Sequence, residues 1–167
     1  MTTLNEWKQT YLRIPIAAPQ HSVYDAWATP AGLERWFLRR ADYNDEHGGQ
    51  RHQDSHITKG DHYRWMWHGH PDSVAEDGHV VDANGVDRLS FTFSGNSLVT
   101  VALVQEAGHL VVELTHSNFP PAEKPSESLQ YLCSVGWTFY LANLKSILEG
   151  GIDLRNRDLT LPRVINS

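Results

Sequence analysis

The ten histidines are the first side chains in this sequence to consider for chemistry. His116 stands out because it is the polar member of a predicted strand face that otherwise carries Val112 and Leu114. Two roles are open for it. A core histidine would bond a backbone carbonyl, whereas a histidine facing a pocket would orient a ligand and could move protons near neutral pH. Because no second residue can be paired with it, we predict no catalytic site.

The remaining histidines lack the spacing of a metal site. His68 and His70 would share one strand face, but a metal site needs three or four converging ligands with supporting contacts. We therefore expect solvated loop histidines, no metal and no cofactor. The acidic pairs Asp45-Glu46 and Glu76-Asp77 are likewise interpreted as exposed turns rather than as a catalytic pair of carboxylates.

Composition and charge exclude several classes of function. A formal net charge of −6 without a clustered basic face argues against nucleic-acid binding. No stretch approaches the ~20 apolar residues that cross a bilayer, and residues 1–8 lack the apolar run of a signal peptide. The single cysteine, Cys133, is expected to be a buried small hydrophobe without a reactive signature. We expect one cytoplasmic domain over residues 1–167, with a core at about residues 9–152 and a polar tail at 153–167.

The element that must organise these side chains is a long helix at residues 126–150, a stretch without proline. Its apolar residues recur at three- and four-residue steps, which is the period of a helix with one buried stripe. Ser126 or Ser128 can serve as its N-cap, and Gly150-Gly151 supplies its stop. The stripe is wide, so we expect the helix to be covered over much of its circumference. It comprises Leu129, Leu132, Cys133, Gly136, Tyr140, Leu144 and Ile147, widened by Trp137, Leu141 and Leu148.

The rest of the chain predicts one strand, two short helices and then a run of strands. Thr29 as N-cap and Pro30 at the first helical position separate the two short helices. Alternation predicts strands near residues 11–17, 63–68, 74–81, 88–93, 98–105 and 110–116, and hairpin turns at Asn84-Gly85, Gly95-Asn96 and Ala107-Gly108. Strands segregated from helices indicate an α+β fold, with an antiparallel sheet that curls around the long helix.

Four segments make the chain similar to a known family: Ala18-Pro19 with Val23 and Trp27; Thr29-Pro30 with Leu33, Trp36 and Phe37; residues 60–65; and Gly136-Trp137 through Gly150-Gly151 with Asp153 and Arg155. They resemble the activator of Hsp90 ATPase homologue family of the START-like (SRPBCC) superfamily. The resemblance covers residues 11–155 and is most specific in the last segment. It implies the helix-grip fold, in which a curved antiparallel sheet wraps around one long C-terminal helix.

The resemblance also implies a cavity between the concave face of the sheet and the long helix, which holds apolar ligands. Large rigid rings can border such a pocket or simply fill a core, and composition does not distinguish the two. On the helix, Trp137, Leu141 and Leu148 are assigned to the core flank. Strand alternation, the opposite flank of the long helix and the end of the second short helix together give the candidate cavity-lining residues: Trp36, Phe37, Trp65, Trp67, Phe91, Phe93, His116, Gly136, Tyr140 and Leu144.

Three functions are compatible with this resemblance. The leading prediction is a protein that binds a small hydrophobic or aromatic ligand without catalysing a reaction. One alternative is an enzyme of the polyketide cyclase or aromatase type, in which His116, with Tyr63 or Tyr140, would move protons inside the cavity. The other is a co-chaperone-like module that stimulates the ATPase of a chaperone partner through exposed apolar residues. A homodimer is also compatible with the superfamily.

Overall fold

The computed structural model describes residues 8–165, so the expectations for residues 1–7 and for the last two residues of the tail lie outside it. The strands are β1 (Thr10–Pro15), β2 (Arg40–Asn44), β3 (His62–Met66), β4 (Ala75–Ala83), β5 (Arg88–Phe93), β6 (Ser97–Glu106) and β7 (His109–Ser117). The helices are α1 (Gln20–Ala28), α2 (Pro30–Trp36) and α3 (Leu129–Leu148). The strands form one antiparallel sheet in the order β1-β7-β6-β5-β4-β3-β2. The predicted α+β helix-grip fold is confirmed.

The break between α1 and α2 follows from the sequence at Thr29. Its hydroxyl oxygen accepts the N–H of Gly32 at 2.9 Å and its hydroxyl donates to the carbonyl of Asp25 at 2.9 Å. Pro30 occupies the first turn, where its missing N–H is not needed. A Cβ on Gly32 would overlap the carbonyl of Asp25, so only glycine lets the two helices approach this closely.

Strand β2 is the element that the sequence prediction missed. It is short and carries the charged or polar side chains of Arg40, Asp42 and Asn44 in alternation with buried Ala41 and Tyr43. The polar pattern resembles the loop that follows it. That loop is anchored at its far end, because the guanidinium of Arg51 donates to both carboxylate oxygens of Asp61, each at 2.8 Å.

The long helix α3 begins and ends close to the predicted residues. Ser128, rather than Ser126, is the N-cap and accepts the N–H of Tyr131 at 3.1 Å, while Gly150 ends the helix at φ 82°. The expected coverage does not extend to its first two turns, where Leu132 is 57% exposed. The buried residues of α3 lie in its middle, between Trp137 and Leu144.

Strand β3 is shorter than predicted, and an irregular connection takes the place of its end. Strand β3 ends at Met66, not at residue 68, and the connection to β4 turns away at Gly69, which has a φ of 80°. Pro71 follows in the same connection; it has no backbone N–H and so cannot donate a hydrogen bond to a neighbouring strand.

The segment after α3 is held more firmly than a polar tail. The side chain of Arg155 is 2% exposed, and Asp153 pairs with it at 2.7 Å. Asn143 on α3 donates to the carbonyl of Trp36 at 2.7 Å and to Asp153 at 3.1 Å. Carbonyls at a helix end need donors, and this cluster supplies them to α2. The guanidinium of Arg155 donates to the carbonyls of Glu34, Arg35 and Leu38.

Candidate functional site

An open cleft of about 310 Å³ lies where the first half of α3 is left uncovered. One wall is α3, the opposite wall is the connection from β3 to β4, and the turn from β5 to β6 forms part of the rim. The lining is mostly aromatic and aliphatic, as in small-molecule sites. It consists of Phe37, Trp67, His70, Val74, Phe93, Ser94, Leu132, Cys133, Gly136, Trp137 and Tyr140.

Five aromatic rings make a continuous shell around this cleft. The ring of Phe37, at the end of α2, lies 5.2 Å from Trp137, 4.8 Å from Tyr140 and 5.8 Å from Trp67, between centroids. Phe93, at the end of β5, lies 5.6 Å from Trp137 and 6.4 Å from Trp67. These separations are those of attractive aromatic pairs, so each ring is held in place by its neighbours.

Gly136 is the gap in the α3 wall. A Cβ built at this position would meet nothing within 4 Å, which means that the space beside the helix backbone is open. Its backbone φ is not positive, so no conformational requirement calls for glycine here. The absent side chain leaves room in the cleft.

The predicted cavity-lining residues divide into two groups. Phe37, Trp67, Phe93, Gly136 and Tyr140 line the cleft. The other predicted residues lie behind its walls, fully buried in the core: Trp36, Trp65, Phe91, His116 and Leu144. Alternation along a strand indicates a face but not a depth, and the cleft occupies only one end of the concave face.

His116 is a core residue whose two ring nitrogens are both bonded. The indole N–H of Trp137 donates to Nδ1 at 3.1 Å, so Nε2 carries the proton and faces the hydroxyl oxygen of Ser97 at 2.7 Å. Ser97 in turn donates to the carbonyl of Ser94 at 2.9 Å. The partners are side chains and not the expected backbone carbonyl. Burial lowers the pKa of His116 to about 4, so the ring is neutral and holds Trp137 in the cleft wall.

This arrangement weakens the enzyme alternative. His116 does not line the cleft, and its ring has no free nitrogen for a substrate. The hydroxyl of Tyr63 donates to the carbonyl of Thr92, and burial raises its pKa further from neutrality. Of the three proton-transfer candidates, only Tyr140 borders the cleft.

Tyr140 brings a free polar group to the aromatic lining. The residue is 5% exposed, and its hydroxyl has no hydrogen-bond partner among the residues that the structure describes. Burial raises the pKa of this hydroxyl to about 12, so it is a neutral donor and acceptor. The oxygen is not sealed from solvent, so water can bond it in the cleft and a polar ligand atom can replace that water.

Two further α3 residues have roles that the sequence did not predict. Trp137 was assigned to the core flank but forms part of the cleft wall, and Cys133 borders the same space. Burial, followed by the negative charge of Glu76, raises the pKa of the Cys133 thiol to about 12. The thiol is therefore protonated and a poor nucleophile.

Glu76 is the functional candidate that sequence reasoning missed, because Glu76-Asp77 was interpreted as an exposed turn. The pair lies inside β4, where Glu76 is opposite the buried Trp65 of β3. Residues directly opposite in an antiparallel pair share a face, so the Glu76 side chain lies on the concave face. Its carboxylate accepts the N–H of Ser94 at 2.6 Å, and Ser94 lines the cleft. Asp77 faces the other way and pairs with Arg64 at 2.8 Å.

The environment of Glu76 is unfavourable for a charge. Burial raises its pKa, and the hydrogen bond from Ser94 only partly offsets this effect. The sequence signal was present in the alternation of β4 against β3. Asp77-Gly78 resembles a turn, so the strand looks interrupted there and the alternation that places Glu76 is hard to recognise.

Residues 8–165 contain neither a candidate metal site nor a helix that could cross a membrane. Within residues 8–165, no group of three or more His, Cys, Asp or Glu side chains is placed to hold a metal ion. His68 and His70 lie in the irregular connection between β3 and β4. Across the same range, no helix combines the length and the apolar character that are needed to cross a membrane.

The sequence and the fold both have known counterparts. The family model for Activator of Hsp90 ATPase homolog 1-like protein matches residues 17–149. No curated protein matches the sequence. The solution structure of the Aha1 dimer from Colwellia psychrerythraea is 19% identical with a TM-score of 0.65, and the match covers 86% of this chain and 97% of that one.

Two other solved structures have the same fold. DynU16, a protein of the dynemicin biosynthetic locus, is 21% identical with a TM-score of 0.68 over 90% of this chain and 50% of that one, so the chain spans half its length. PFC0360w, an HSP90 activator from Plasmodium falciparum, is 18% identical with a TM-score of 0.60, over 85% of this chain and 96% of that one. At sequence identities this low, the similarity to these structures shows a shared fold alone.

Proposed function

The chain belongs to the Activator of Hsp90 ATPase homolog 1-like family, and on this premise we propose that it binds a small hydrophobic or aromatic molecule in the cleft beside α3. One observation carries the proposal. Aromatic rings from α2, β5, α3 and the β3–β4 connection converge on a space that Gly136 leaves open. Trp67 and Phe93 are only partly buried around that space, so a ligand there would cover apolar surface that otherwise meets water.

The size and chemistry of the cleft restrict the ligand. About 310 Å³ lies at the lower end of the range of roughly 300–1,000 Å³ for small-molecule sites. A ligand with one or two aromatic ring systems, such as a phenyl or a naphthyl group, therefore suits it. Because the Cys133 thiol stays protonated, we propose reversible binding and no covalent step.

A titration with the neutral fluorescent probe N-phenyl-1-naphthylamine tests the proposal. We expect saturable binding with quenching of tryptophan emission, since Trp67 and Trp137 line the cleft. Gly136→Leu should weaken binding by about tenfold or more, because the added side chain occupies the cleft, with an unchanged circular dichroism spectrum. Ala142→Leu, at an exposed position of the same helix, is the matched control. Absence of saturable binding, or equal binding by Gly136→Leu, would refute the proposal.

A second candidate function is contact with a chaperone ATPase. It is favoured by the exposed apolar residues at the start of α3, where Tyr131 is 54% and Val135 45% exposed. Neither residue lines the cleft, so the two functions can be separated. The double variant Tyr131→Glu with Val135→Glu should abolish stimulation of a purified Hsp90 ATPase while probe binding persists. An ATPase rate that wild-type protein does not change would exclude this candidate.

A further inference from the structure

Glu76 is a half-buried carboxylate that lacks a positively charged partner among residues 8–165. Its hydrogen bond from Ser94 satisfies one oxygen, Oε1. Another buried carboxylate of the same protein, Asp61, is 1% exposed and is neutralised by the two-pronged contact of Arg51. Burying an unpaired charge is unfavourable, and such a group is conventionally paired or bound to a cation. Glu76 therefore lacks the kind of partner that Asp61 has.

The cleft beside Glu76 is suited to supply that partner from solution. Glu76 lies directly behind the lining rather than in it, because the N–H of the lining residue Ser94 donates to its Oε1 at 2.6 Å. Its negative charge also acts on the thiol of Cys133, another lining residue. The lining contains no Lys or Arg, and His70 is its only basic side chain. The formal charge of the whole chain is −6, which also favours the approach of a cation.

The aromatic shell adds a second attraction for positive charge. Ammonium and quaternary ammonium groups are stabilised near aromatic rings by the ring quadrupole, most strongly when they are desolvated. Five aromatic residues line the cleft, and the hydroxyl oxygen of Tyr140 can accept a hydrogen bond from an amine. An anion would meet the negative charge of Glu76 and would find no basic partner other than His70.

We propose that the cleft selects an organic cation, namely an amine or quaternary ammonium group carried on an apolar or aromatic body. The positive charge lies towards Glu76, and the body lies among Phe37, Trp67 and Trp137. This inference rests on the proposed binding function and specifies the chemical class of its ligand. Glu76 is the residue that determines the preference for charge.

Three probes of nearly the same shape test the preference: phenyltrimethylammonium, its neutral isostere tert-butylbenzene, and the anion benzenesulfonate. Each is titrated into wild-type protein while tryptophan fluorescence is followed. We expect phenyltrimethylammonium to bind about tenfold tighter than tert-butylbenzene, and benzenesulfonate to bind weakest.

Two charge-neutralising variants then locate the preference. Glu76→Gln keeps an acceptor for the Ser94 N–H and should remove the advantage of the cation, while its affinity for tert-butylbenzene changes less than about twofold. Asp77→Asn makes the same change of net charge one residue away on the opposite face, where the carboxylate pairs with Arg64. This control should keep the preference.

Each outcome has one interpretation. If tert-butylbenzene binds wild-type protein as tightly as the cation, or if Glu76→Gln retains the preference, the cation inference is overturned and the binding function stands. If none of the three probes binds, the proposed function itself fails. Should Glu76→Gln not fold, the comparison of the three probes on wild-type protein still decides the inference.

Discussion

Replacing Gly136 by alanine should stabilise the protein and weaken its ligand binding at the same time. Glycine in the interior of a helix costs about 1 kcal/mol relative to alanine, because it loses more conformational freedom on folding. Gly136 lies in the interior of α3, and a Cβ there would meet nothing within 4 Å, so no steric penalty offsets the gain. We therefore expect the free energy of unfolding to rise by up to about 1 kcal/mol.

The assay is urea denaturation followed by far-ultraviolet circular dichroism, with the midpoint and slope fitted for each protein. For a chain of this size, 1 kcal/mol corresponds to a rise in Tm of roughly 2–4 °C. Ala142→Gly is the matched control, since Ala142 is exposed in the same helix and its replacement should lower stability by about 1 kcal/mol.

The same variant, Gly136→Ala, also tests ligand binding through its new methyl group. It intrudes on the open space beside α3, so the affinity for N-phenyl-1-naphthylamine should fall although the protein is more stable. If Gly136→Ala is destabilised while Ala142→Gly behaves as expected, the space at Gly136 is already filled. That result would refute the description of the cleft.

Three further predictions concern the groups around the site. Because the folded pKa of His116, about 4, lies below its ordinary 6.5, the unfolded chain binds the extra proton between these values. Stability should fall by about 3 kcal/mol as the pH is lowered through that window, and an equal slope in His116→Asn would contradict this. Gly78→Ala should destabilise by roughly 1–3 kcal/mol, because its Cβ would lie 2.5 Å from the ring of Tyr63; thermal denaturation that matches wild type would contradict this. Arg155→Ala should lower the free energy of unfolding by about 3 kcal/mol in urea denaturation, since it removes the buried ion-pair partner of Asp153 and leaves three carbonyls without their donor. Arg157→Ala, at an exposed position, is its control, and equal losses would contradict the argument.

The features that could be predicted from the sequence are those that local chemistry determines. Thr29-Pro30, the hairpin turns and the period of α3 each depend on residues within a few positions of one another. The family resemblance added the topology, which is confirmed. What lay beyond prediction depended on contacts between distant segments.

Two neighbouring residues illustrate this limit. Trp36 and Phe37 are both large and aromatic, yet the first donates its indole N–H to the carbonyl of Ala26 in the core, and the second borders the cleft. Likewise, the face occupied by Glu76 depends on the register of β4 against β3, and the burial of Arg155 depends on where α2 ends. Depth and register are properties of the packed protein rather than of a local pattern.

Nuclear magnetic resonance of the tryptophan indole N–H groups tests the central claim most directly. With phenyltrimethylammonium or N-phenyl-1-naphthylamine added stepwise, the signals of Trp67 and Trp137 should shift saturably, because both rings line the cleft. The signal of Trp27, which is buried outside the lining, should move least. Shifts that fail to saturate, or a larger shift at Trp27 than at Trp67, would contradict a ligand site in this cleft.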